Sequence, residues 1–363
     1  MATAIRVEVL PARLGDCLLV ECLRPGRRPW RMLIDGGPPD TWPLLKARLD
    51  RLPLSDPTID IAVVTHIDSD HIGGMIPFLA SDFARAHVRD VWFNGRPQVT
   101  QPRSAPRSVA QAETVTATLH GAPGAQPGMP WNLAFGGAAI ATVPAAGFRV
   151  LDVPGGPRIT VLSPDGPRLA AIAKVWNDAL DKALHPDPER PGPDLPGPLP
   201  DLDALAARKT AKDSTAPNGS SIALLVEHRG ASVLLGADAF GTVLTDALGA
   251  LARARGIPAV AVDALKLPHH GSQANVLADL IAAAPAQHYL VSSNGDTFGH
   301  PDDCAIARVV TGAPPGATLW FNYRNARTER WADPSLTTAH RYAVRFPSDP
   351  DTGVLVKLPV RVG

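Results

Sequence analysis

The stretch Val63-Val-Thr-His-Ile-Asp-Ser-Asp-His-Ile-Gly-Gly74 places four side chains that can bind a metal within six positions. The apolar run that leads into it is short and β-branched, which is typical of a buried strand. Alternate positions of an extended chain point the same way, so His66 and Asp68 can address one metal while the next turn presents Asp70 and His71 to a second. The closing glycine pair permits a sharp turn. The stretch therefore predicts a two-metal site on a loop at a strand end.

This block resembles the signature of the metallo-β-lactamase superfamily, His-x-His-x-Asp-His, with Asp68 in place of the second His. The variant is similar to the C-terminal hydrolase (nuclease) domain of the competence DNA-uptake channel (ComEC-type) proteins. Further similar stretches follow in the same order, at residues 7–10, 15–20, 32–37, 161–164, 218–221, 234–238, 267–272 and 299–301. The resemblance implies an α/β fold, the four-layer αββα metallo-β-lactamase sandwich with loop insertions, as a single domain over residues 1–363.

Two later strand-like runs end in further candidate ligands. Residues 231–235 lead to Asp238, whose carboxylate can bridge two cations or can cap the segment that follows. Residues 264–268 lead to His269 and His270. In the superfamily the His of a His-x-Ser element is the ligand, which implies that His270 binds metal and that His269 supports a ligand or contacts substrate.

Other motif residues have supporting roles in this interpretation. Asp35 resembles the family's carboxylate that orients a ligand His, although an Asp before Gly-Gly also suits a turn. The superfamily's further His is absent, because the corresponding segment holds Asn218, Ser220 and Ser221; these either hydrogen-bond a phosphate or a ligand, or simply begin a strand. His228 lies nearby but precedes a turn, so we expect it at an exposed hairpin position.

The resemblance and the donor set imply two divalent ions and hydrolysis by an activated water. Abundant carboxylates suit Mn²⁺ or Mg²⁺ as well as Zn²⁺. Paired cations favour in-line displacement at phosphorus, which makes a phosphodiester such as DNA the expected substrate. The family also implies that Asp70 accepts a proton from the water. His300 is either a catalytic group near the scissile bond or a plain loop histidine. The predicted ligands are His66, Asp68 and Asp238 at one ion, and Asp70, His71, Asp238 and His270 at the other.

Composition restricts the class of protein. The 363 residues are 45% hydrophobic, enough for a large core. Three cysteines are too few for a disulfide framework, which predicts a cytoplasmic location. No apolar stretch approaches the roughly 18 residues of a membrane-spanning helix, so no membrane association is expected. Lys+Arg and Asp+Glu both number 35, so no overall field attracts nucleic acid. The sequence leaves protein partners open. Local basic groups either approach a phosphate backbone or form solvated surface: Arg103, Arg107, Arg208, Lys209 and Lys212.

Two segments interrupt the core pattern. Residues from about 96 to 147 form a variable insert and a candidate lid, and residues from about 185 to 213 form a proline-rich surface insert that cannot continue a helix. Residues 168–184 between them have the apolar spacing of a helix that packs on the core, and residues 341–362 predict edge strands.

Two rival functions stay open at this stage. The first is a small-molecule hydrolase, such as a phosphorylcholine esterase or a lactonase, and the lactonase is disfavoured because its usual block retains the second His. The second is a catalytically silent, metal-binding module of a larger assembly. It is disfavoured because the carboxylates and imidazoles expected for this variant are present.

Overall fold

Two β-sheets pack face to face, and helices cover their outer faces. This architecture is that of a computed structural model, which describes residues 2–99, 111–121, 128–143, 147–184, 197–199 and 201–361. The strands are β1 (Thr3–Val9), β2 (Leu18–Cys22), β3 (Trp30–Ile34), β4 (Ile61–Val63), β5 (Val91–Trp92), β6 (Val150–Asp152), β7 (Arg158–Ser163), β8 (Ala223–His228), β9 (Ala231–Leu235), β10 (Val262–Lys266), β11 (Ala286–Val291), β12 (Thr318–Phe321), β13 (Ala343–Arg345) and β14 (Val354–Pro359).

Helices occupy most of the connections between these strands. They are α1 (Trp42–Leu49), α2 (Ser69–Ile72), α3 (Met75–Ala80), α4 (Asp82–His87), α5 (Arg96–Val99), α6 (Gln111–His120), α7 (Gly166–Leu184), α8 (Leu202–Ala206), α9 (Ala216–Gly219), α10 (Gly241–Arg255), α11 (Ala278–Ala283), α12 (Asp303–Gly312), α13 (Ala326–Glu329) and α14 (Pro334–Ala339). Short 3-10 turns cover Pro39–Thr41, Leu133–Phe135, Pro268–Gly271 and Arg330–Ala332. Among the described residues, none of the helices combines the length and apolar character that crossing a membrane requires.

Both sheets are mixed. The first has the order β14-β1-β2-β3-β4-β5, and the second has the order β13-β12-β11-β10-β9-β8-β7-β6. Strands β3, β4 and β5 run parallel, as do β9 to β13, while the remaining neighbours are antiparallel. The predicted C-terminal strands are present at two edges, because β14 pairs with β1 and β13 pairs with β12.

Three apolar layers hold the sandwich together. The central layer lies between the sheets and includes Val7, Val20, Val161 and Val233. A second layer lies between the first sheet and helices such as α3, and a third between the second sheet and helices such as α10 and α12. Strands β2, β3 and β10 are buried along their whole length, as expected for strands covered on both faces. The four-layer αββα sandwich predicted from the resemblance is confirmed.

The glycine pair after the ligand block does not form the sharp turn that the sequence predicted. Gly73 (φ −55°) and Gly74 (φ −74°) both have right-handed helical backbone and join α2 to α3. The reason for glycine is a close backbone approach, because a Cβ on Gly74 would lie 2.1 Å from the carbonyl oxygen of Gly36. The loop prediction also needs correction, since Asp70 and His71 lie in the short helix α2.

The insert regions are described only in part. Residues 100–110, 122–127, 144–146, 185–196 and 200 lie outside the described residues, and Arg103 and Arg107 are among them. The predicted helix between the inserts is α7, which begins at Gly166 and buries Leu169, Ile172 and Trp176.

The close approach at Gly74 gives the first prediction. Gly74→Ala forces a methyl group into the backbone of Gly36, so we expect a loss of about 2 kcal/mol or more in the free energy of unfolding, measured by urea denaturation. The control is Gly249→Ala inside α10, where the added Cβ meets only the Arg253 guanidinium at 3.5 Å. That variant should be unchanged or stabilised by up to about 1 kcal/mol. Equal stability of Gly74→Ala and wild type would contradict the packing argument.

Candidate metal centre

The candidate ligands come from strand ends at one edge of the sandwich. Asp35 follows β3, His66 follows β4, Asp238 follows β9 and His270 follows β10. These strands run parallel to a neighbour within their own sheets, so their carboxyl ends share an edge. The backbone N–H of Ile222 donates to the carbonyl of Thr65 at 3.0 Å and ties the two sheets together next to His66.

The Nε2 atoms of His71 and His270 face each other, and in the neutral rings neither of them carries a proton. The Nδ1 of His71 lies 2.8 Å from Asp35 Oδ2, and the Nδ1 of His270 lies 3.0 Å from the carbonyl oxygen of Ser292. Because both partners are acceptors, each Nδ1 carries the proton and each Nε2 presents a lone pair. The two Nε2 atoms are only 3.1 Å apart. Two lone pairs at that distance repel each other unless a cation or a proton lies with them.

His66 has the same orientation. Thr65 donates its hydroxyl to Asp35 Oδ2 at 2.7 Å, so its oxygen can accept from the Nδ1 of His66 at 3.0 Å. The buried Nε2 of His66 has no hydrogen-bond partner and lies 3.5 Å from Asp68 Oδ2. Although Asp68 precedes helix α2, its side chain makes no capping bond. The carboxylate of Asp68 is therefore directed to the site.

The carboxylate of Asp238 lies between these imidazoles. Its Oδ1 is 3.3 Å from His71 Nε2, and its Oδ2 is 3.5 Å from His270 Nε2 and 4.0 Å from His66 Nε2. The capping alternative from the sequence is wrong, because α10 begins at Gly241 with Phe240 at its N-cap. Asp238 is buried and its Oδ1 has no hydrogen-bond donor. The structure thus brings Asp238 together with His66, His71 and His270, and Asp70 Oδ2 lies 3.3 Å from His270 Nε2.

His269 lies on the more open side of the same carboxylate. Its Nε2 is 3.7 Å from Asp238 Oδ2, and its Nδ1 is 3.0 Å from Asn275 Oδ1 and 3.3 Å from Asp213 Oδ2. Burial raises the pKa of the Asp213 carboxyl, but hydrogen bonds from His269 and Asn218 outweigh burial and hold that pKa below its usual range. Asp213 and Asn275 had no role in the sequence interpretation, and no local pattern distinguishes them.

Two charged residues of the site were also missed. The buried Asp16 has its Oδ1 3.3 Å from the Nδ1 of His270, and its other oxygen pairs with the ammonium group of the buried Lys266. Asp16 directly precedes the apolar residues 17–20, and Lys266 interrupts the apolar residues 264–268; a charge next to or within such a run is the signal that could have found them. Asp16, His71, Asp238 and His270 each offer an atom within 4.8 Å of the others. Asp16 faces the Nδ1 side of His270, so it orients that ring from behind.

The electrostatics of the pocket favour positive charge between the ligands. Burial lowers the pKa of His71 and of His270, but the Asp238 carboxylate and its neighbours raise both well above the usual value. Burial raises the pKa of Asp238, but the imidazoles of His270 and His71 hold it well below its usual range. A metal cation that displaces protons from these imidazoles would meet the same favourable field.

Strained backbone concentrates at this edge. Asp35, Ala237, His269 and His270 have positive φ angles of 56°, 45°, 47° and 54°. A residue with a side chain pays about 1–2 kcal/mol for this left-handed conformation. Such strain is found where a site needs its side chains in fixed directions. Here it turns two consecutive imidazoles toward Asp238.

The residues fit divalent metal ions. The buried Nε2 of His66 and Oδ1 of Asp238 have no hydrogen-bond partner, and neutral imidazoles with carboxylates are a common donor set for Zn²⁺ and Mn²⁺. Nitrogens bound to one tetrahedral zinc ion lie about 3.3 Å apart. The 3.1 Å between His71 and His270 is close to that spacing.

The remaining predicted residues lie around this cluster. His300 is near the mouth, with its ring centroid 5.4 Å from that of His269 and its Nδ1 3.5 Å from Asp302. Asn218 donates to Asp213 at 2.7 Å, and Ser220 donates its hydroxyl to the carbonyl of Pro217, as a turn residue does. The hydroxyl of Ser221 is buried without a hydrogen-bond partner.

His228 is at the predicted hairpin but is not exposed there. It ends β8, and the turn to β9 passes through Arg229 and Gly230, both with positive φ. The side chain is buried, and its Nε2 contacts the carbonyl of Leu23 at 2.9 Å. Exposure was the wrong expectation, because the hairpin packs against the end of β2.

Comparison with known proteins agrees with this fold. The sequence profile of the metallo-beta-lactamase superfamily matches residues 15–293, which contain all of the candidate ligands and both sheets' central strands. The chain belongs to the metallo-β-lactamase superfamily, an α/β sandwich class whose members are mostly metal-dependent hydrolases. No curated protein matches the chain.

Similar solved structures share little sequence with the chain. They include CmlA, a diiron beta-hydroxylase from Streptomyces venezuelae, at 13% identity and a TM-score of 0.38, which covers 99% of this chain and 55% of CmlA. Zn²⁺-bound PqqB from Methylobacterium extorquens is 11% identical with a TM-score of 0.41, over 97% of this chain and 100% of PqqB. A long form RNase Z from yeast is 11% identical with a TM-score of 0.35, over 80% of this chain and 36% of the RNase Z. The chain thus spans about half the length of CmlA.

The Asp35–His71 pair gives the second prediction. Asp35→Asn removes the carboxylate that fixes the His71 tautomer, so we expect the affinity for Zn²⁺ or Mn²⁺ to fall about 10- to 100-fold in calorimetric titration. Asp90→Asn is the matched control. Asp90 is also buried, but it accepts from the backbone N–H groups of Leu133 and Ala134, away from the site. Unchanged metal affinity in Asp35→Asn would show that Asp35 does not orient a ligand.

Proposed function

We propose that this chain is a metal-dependent phosphodiesterase, and specifically a nuclease of the kind that the resemblance to the competence-type hydrolases suggests. The observation that supports it best is the position of Asp238, whose two oxygens face different imidazoles. A carboxylate so placed can bridge two cations. Phosphodiester hydrolysis by an in-line displacement uses such a pair.

We assign the ligand roles to the residues gathered around that carboxylate. Bound divalent cations would polarise a phosphoryl group and make water a better nucleophile near neutral pH. Asp35 and the Ser292 carbonyl hold His71 and His270 in the tautomer that presents Nε2. The proposed ligands are His66, Asp68, Asp70, His71, Asp238 and His270.

Asp70 and His300 have the proposed roles in proton transfer and substrate contact. Asp70 is partly exposed and its Oδ2 lies 3.3 Å from His270, so it can accept a proton from water at the mouth of the cluster. Burial lowers the pKa of His300, which keeps this ring neutral at pH 7. Because the Nδ1 of His300 faces the Asp302 carboxylate at 3.5 Å, the neutral ring presents the lone pair of Nε2, which can accept a hydrogen bond from a water or a substrate hydroxyl.

A basic segment supports a polymeric substrate. Three exposed basic residues directly precede Asp213 in the sequence: Arg208, Lys209 and Lys212. Asp213 in turn contacts His269. Arg308 anchors this segment, because its guanidinium donates to the carbonyl of Arg208 at 2.7 Å. The segment is therefore held beside the site, where its side chains can meet the phosphates that flank a scissile bond.

Hydrolysis of a simple diester is the direct test. With Mn²⁺ the purified protein should cleave bis(p-nitrophenyl) phosphate and DNA, and Asp70→Ala combined with His71→Ala should lower turnover at least about 100-fold. His228→Gln is the control that should keep turnover, because His228 contacts Leu23 and not the cluster. Diester cleavage without DNA cleavage would favour the small-molecule hydrolase. Two bound metals with no hydrolysis would favour the silent module.

The basic segment gives a separate prediction. Replacing Arg208, Lys209 and Lys212 with Ser should weaken DNA binding and reduce the slope of log affinity against log salt by about 2–3, while turnover of bis(p-nitrophenyl) phosphate stays constant. The control replaces three exposed arginines that precede parallel strands and so lie at the opposite edge: Arg51, Arg89 and Arg253. An equal loss in both triple variants would mean that the segment beside the site has no special role in DNA binding.

A further inference from the structure

We infer that the ring of Phe298 is a stacking platform for one nucleobase of a single-stranded nucleic acid whose scissile phosphate lies at the metal cluster. This inference rests on the proposed nuclease function and narrows its substrate to strands with unpaired bases. Phe298 had no role in the sequence interpretation. It lies in the loop between β11 and α12, and four observations support the assignment: its position, its exposure, the fixed backbone around it and its connection to the basic segment.

Phe298 lies at the mouth of the metal cluster. Its ring packs against the ring of His300, with the two centroids 6.2 Å apart and the planes inclined by 30°. The His300 ring in turn has its centroid 5.4 Å from that of His269, whose Nε2 is 3.7 Å from Asp238 Oδ2. Phe298 is therefore two ring contacts away from an imidazole that faces the central carboxylate of the cluster.

The side chain of Phe298 is largely open to solvent. It is 57% exposed, although His300 packs against it. An exposed phenyl ring gives up the free energy that burial of its apolar surface would provide. Single exposed apolar side chains are common on proteins, so exposure alone does not indicate a ligand. At Phe298 the exposed ring stands directly beside a candidate active site.

Hydrogen bonds fix the backbone on both sides of Phe298. The N–H of Gly299 donates to the carbonyl of Gly295 at 3.2 Å, and the N–H of Asp302 donates to the carbonyl of Gly271 at 3.0 Å. The second bond joins the loop to the turn after β10, which carries two imidazoles of the cluster. A ring that is already held in place loses little conformational entropy when a base stacks on it.

The basic segment is connected to the same loop. Thr210, which lies within that segment, donates its hydroxyl to the carbonyl of Gln273 at 2.9 Å, and the N–H of Gln273 donates to Asp302 Oδ2 at 2.8 Å. The same oxygen of Asp302 lies 3.5 Å from the Nδ1 of His300. These contacts connect the basic segment with the ring on which Phe298 packs. A strand whose phosphates meet the basic segment would therefore have a base within reach of Phe298.

Stacking on Phe298 requires a base that is free of its own neighbours. Within a duplex each internal base is stacked on both faces and paired at its edge, so it reaches an outside ring only by leaving the stack, which costs free energy. The bases of a single strand have no such cost, and every base offers a π-face. We therefore expect a preference for single strands and little preference among the four bases.

Equilibrium binding to two strands of equal length tests the inference. The probes are a fluorescein-labelled oligothymidylate and the same strand without bases, measured by fluorescence anisotropy in the Asp70→Ala, His71→Ala background so that the strand stays intact. Phe298→Ala should weaken binding of the oligothymidylate about 5- to 100-fold and leave binding of the abasic strand within about 2-fold. Phe298→Tyr should retain the affinity, because it keeps the ring. Phe298→Leu should lose most of it, because it keeps only the apolar character.

Leu54→Ala is the matched control, because Leu54 is a 94% exposed apolar residue that precedes β4 and so lies at the opposite edge. It should bind both strands as the starting protein does. A duplex of the same length should respond less to Phe298→Ala than the single strand does.

The inference is overturned if Phe298→Ala weakens both strands equally or neither of them, or if Phe298→Leu binds as tightly as Phe298→Tyr. It is also overturned if the duplex loses as much affinity as the single strand. Binding that depends on Phe298, without any cleavage of the strand by wild type in Mn²⁺, would instead overturn the proposed nuclease function and leave the stacking site in place.

Discussion

Negative charge concentrated at one edge of the sandwich is the constraint on which the site depends. Asp16, Asp35 and Asp238 are buried there, and Asp70 is partly exposed. An uncompensated buried carboxylate costs several kcal/mol. The ammonium group of Lys266 compensates the charge of Asp16, and Thr65 and His71 donate hydrogen bonds to the carboxylate of Asp35. Asp238 is different, because its neighbours are imidazoles that direct bare nitrogens toward it.

The fold meets this constraint by fixing each imidazole ring through a hydrogen bond at its Nδ1 atom. Each imidazole of the cluster has an oxygen at its Nδ1, from Thr65 for His66, Asp35 for His71, Asp213 and Asn275 for His269, and Ser292 for His270. These oxygens come from residues that follow strands of both sheets, from Asp213 at the end of the proline-rich insert and from Asn275. The central apolar layer holds the two sheets in a fixed relative position. The packing that stabilises the sandwich therefore also sets the geometry of the site.

Some strands, helices and residue contacts could be predicted from the sequence, and others could not. Strands β4, β8, β9 and β10 were predictable because short β-branched or apolar runs end in polar residues. Helix α7 was predictable from its apolar spacing. The reason for a glycine at position 74 was not predictable, since its close approach to Gly36 depends on a residue far away in the chain. The burial of His228 was missed for the same reason, because its partner is Leu23.

The sequence by itself determined the superfamily and the four-layer sandwich and named the main candidate donors, because the His-x-Asp-x-Asp-His block and the ordered motifs are local patterns. Only the tertiary structure decided how those donors are oriented. Asp16, Lys266, Asp213 and Asn275 act through contacts between distant segments, such as Asp16 with His270 and Asp213 with His269. A tautomer depends on which oxygen lies behind the ring, and that oxygen is brought there by packing of the two sheets and not by neighbouring residues in the chain.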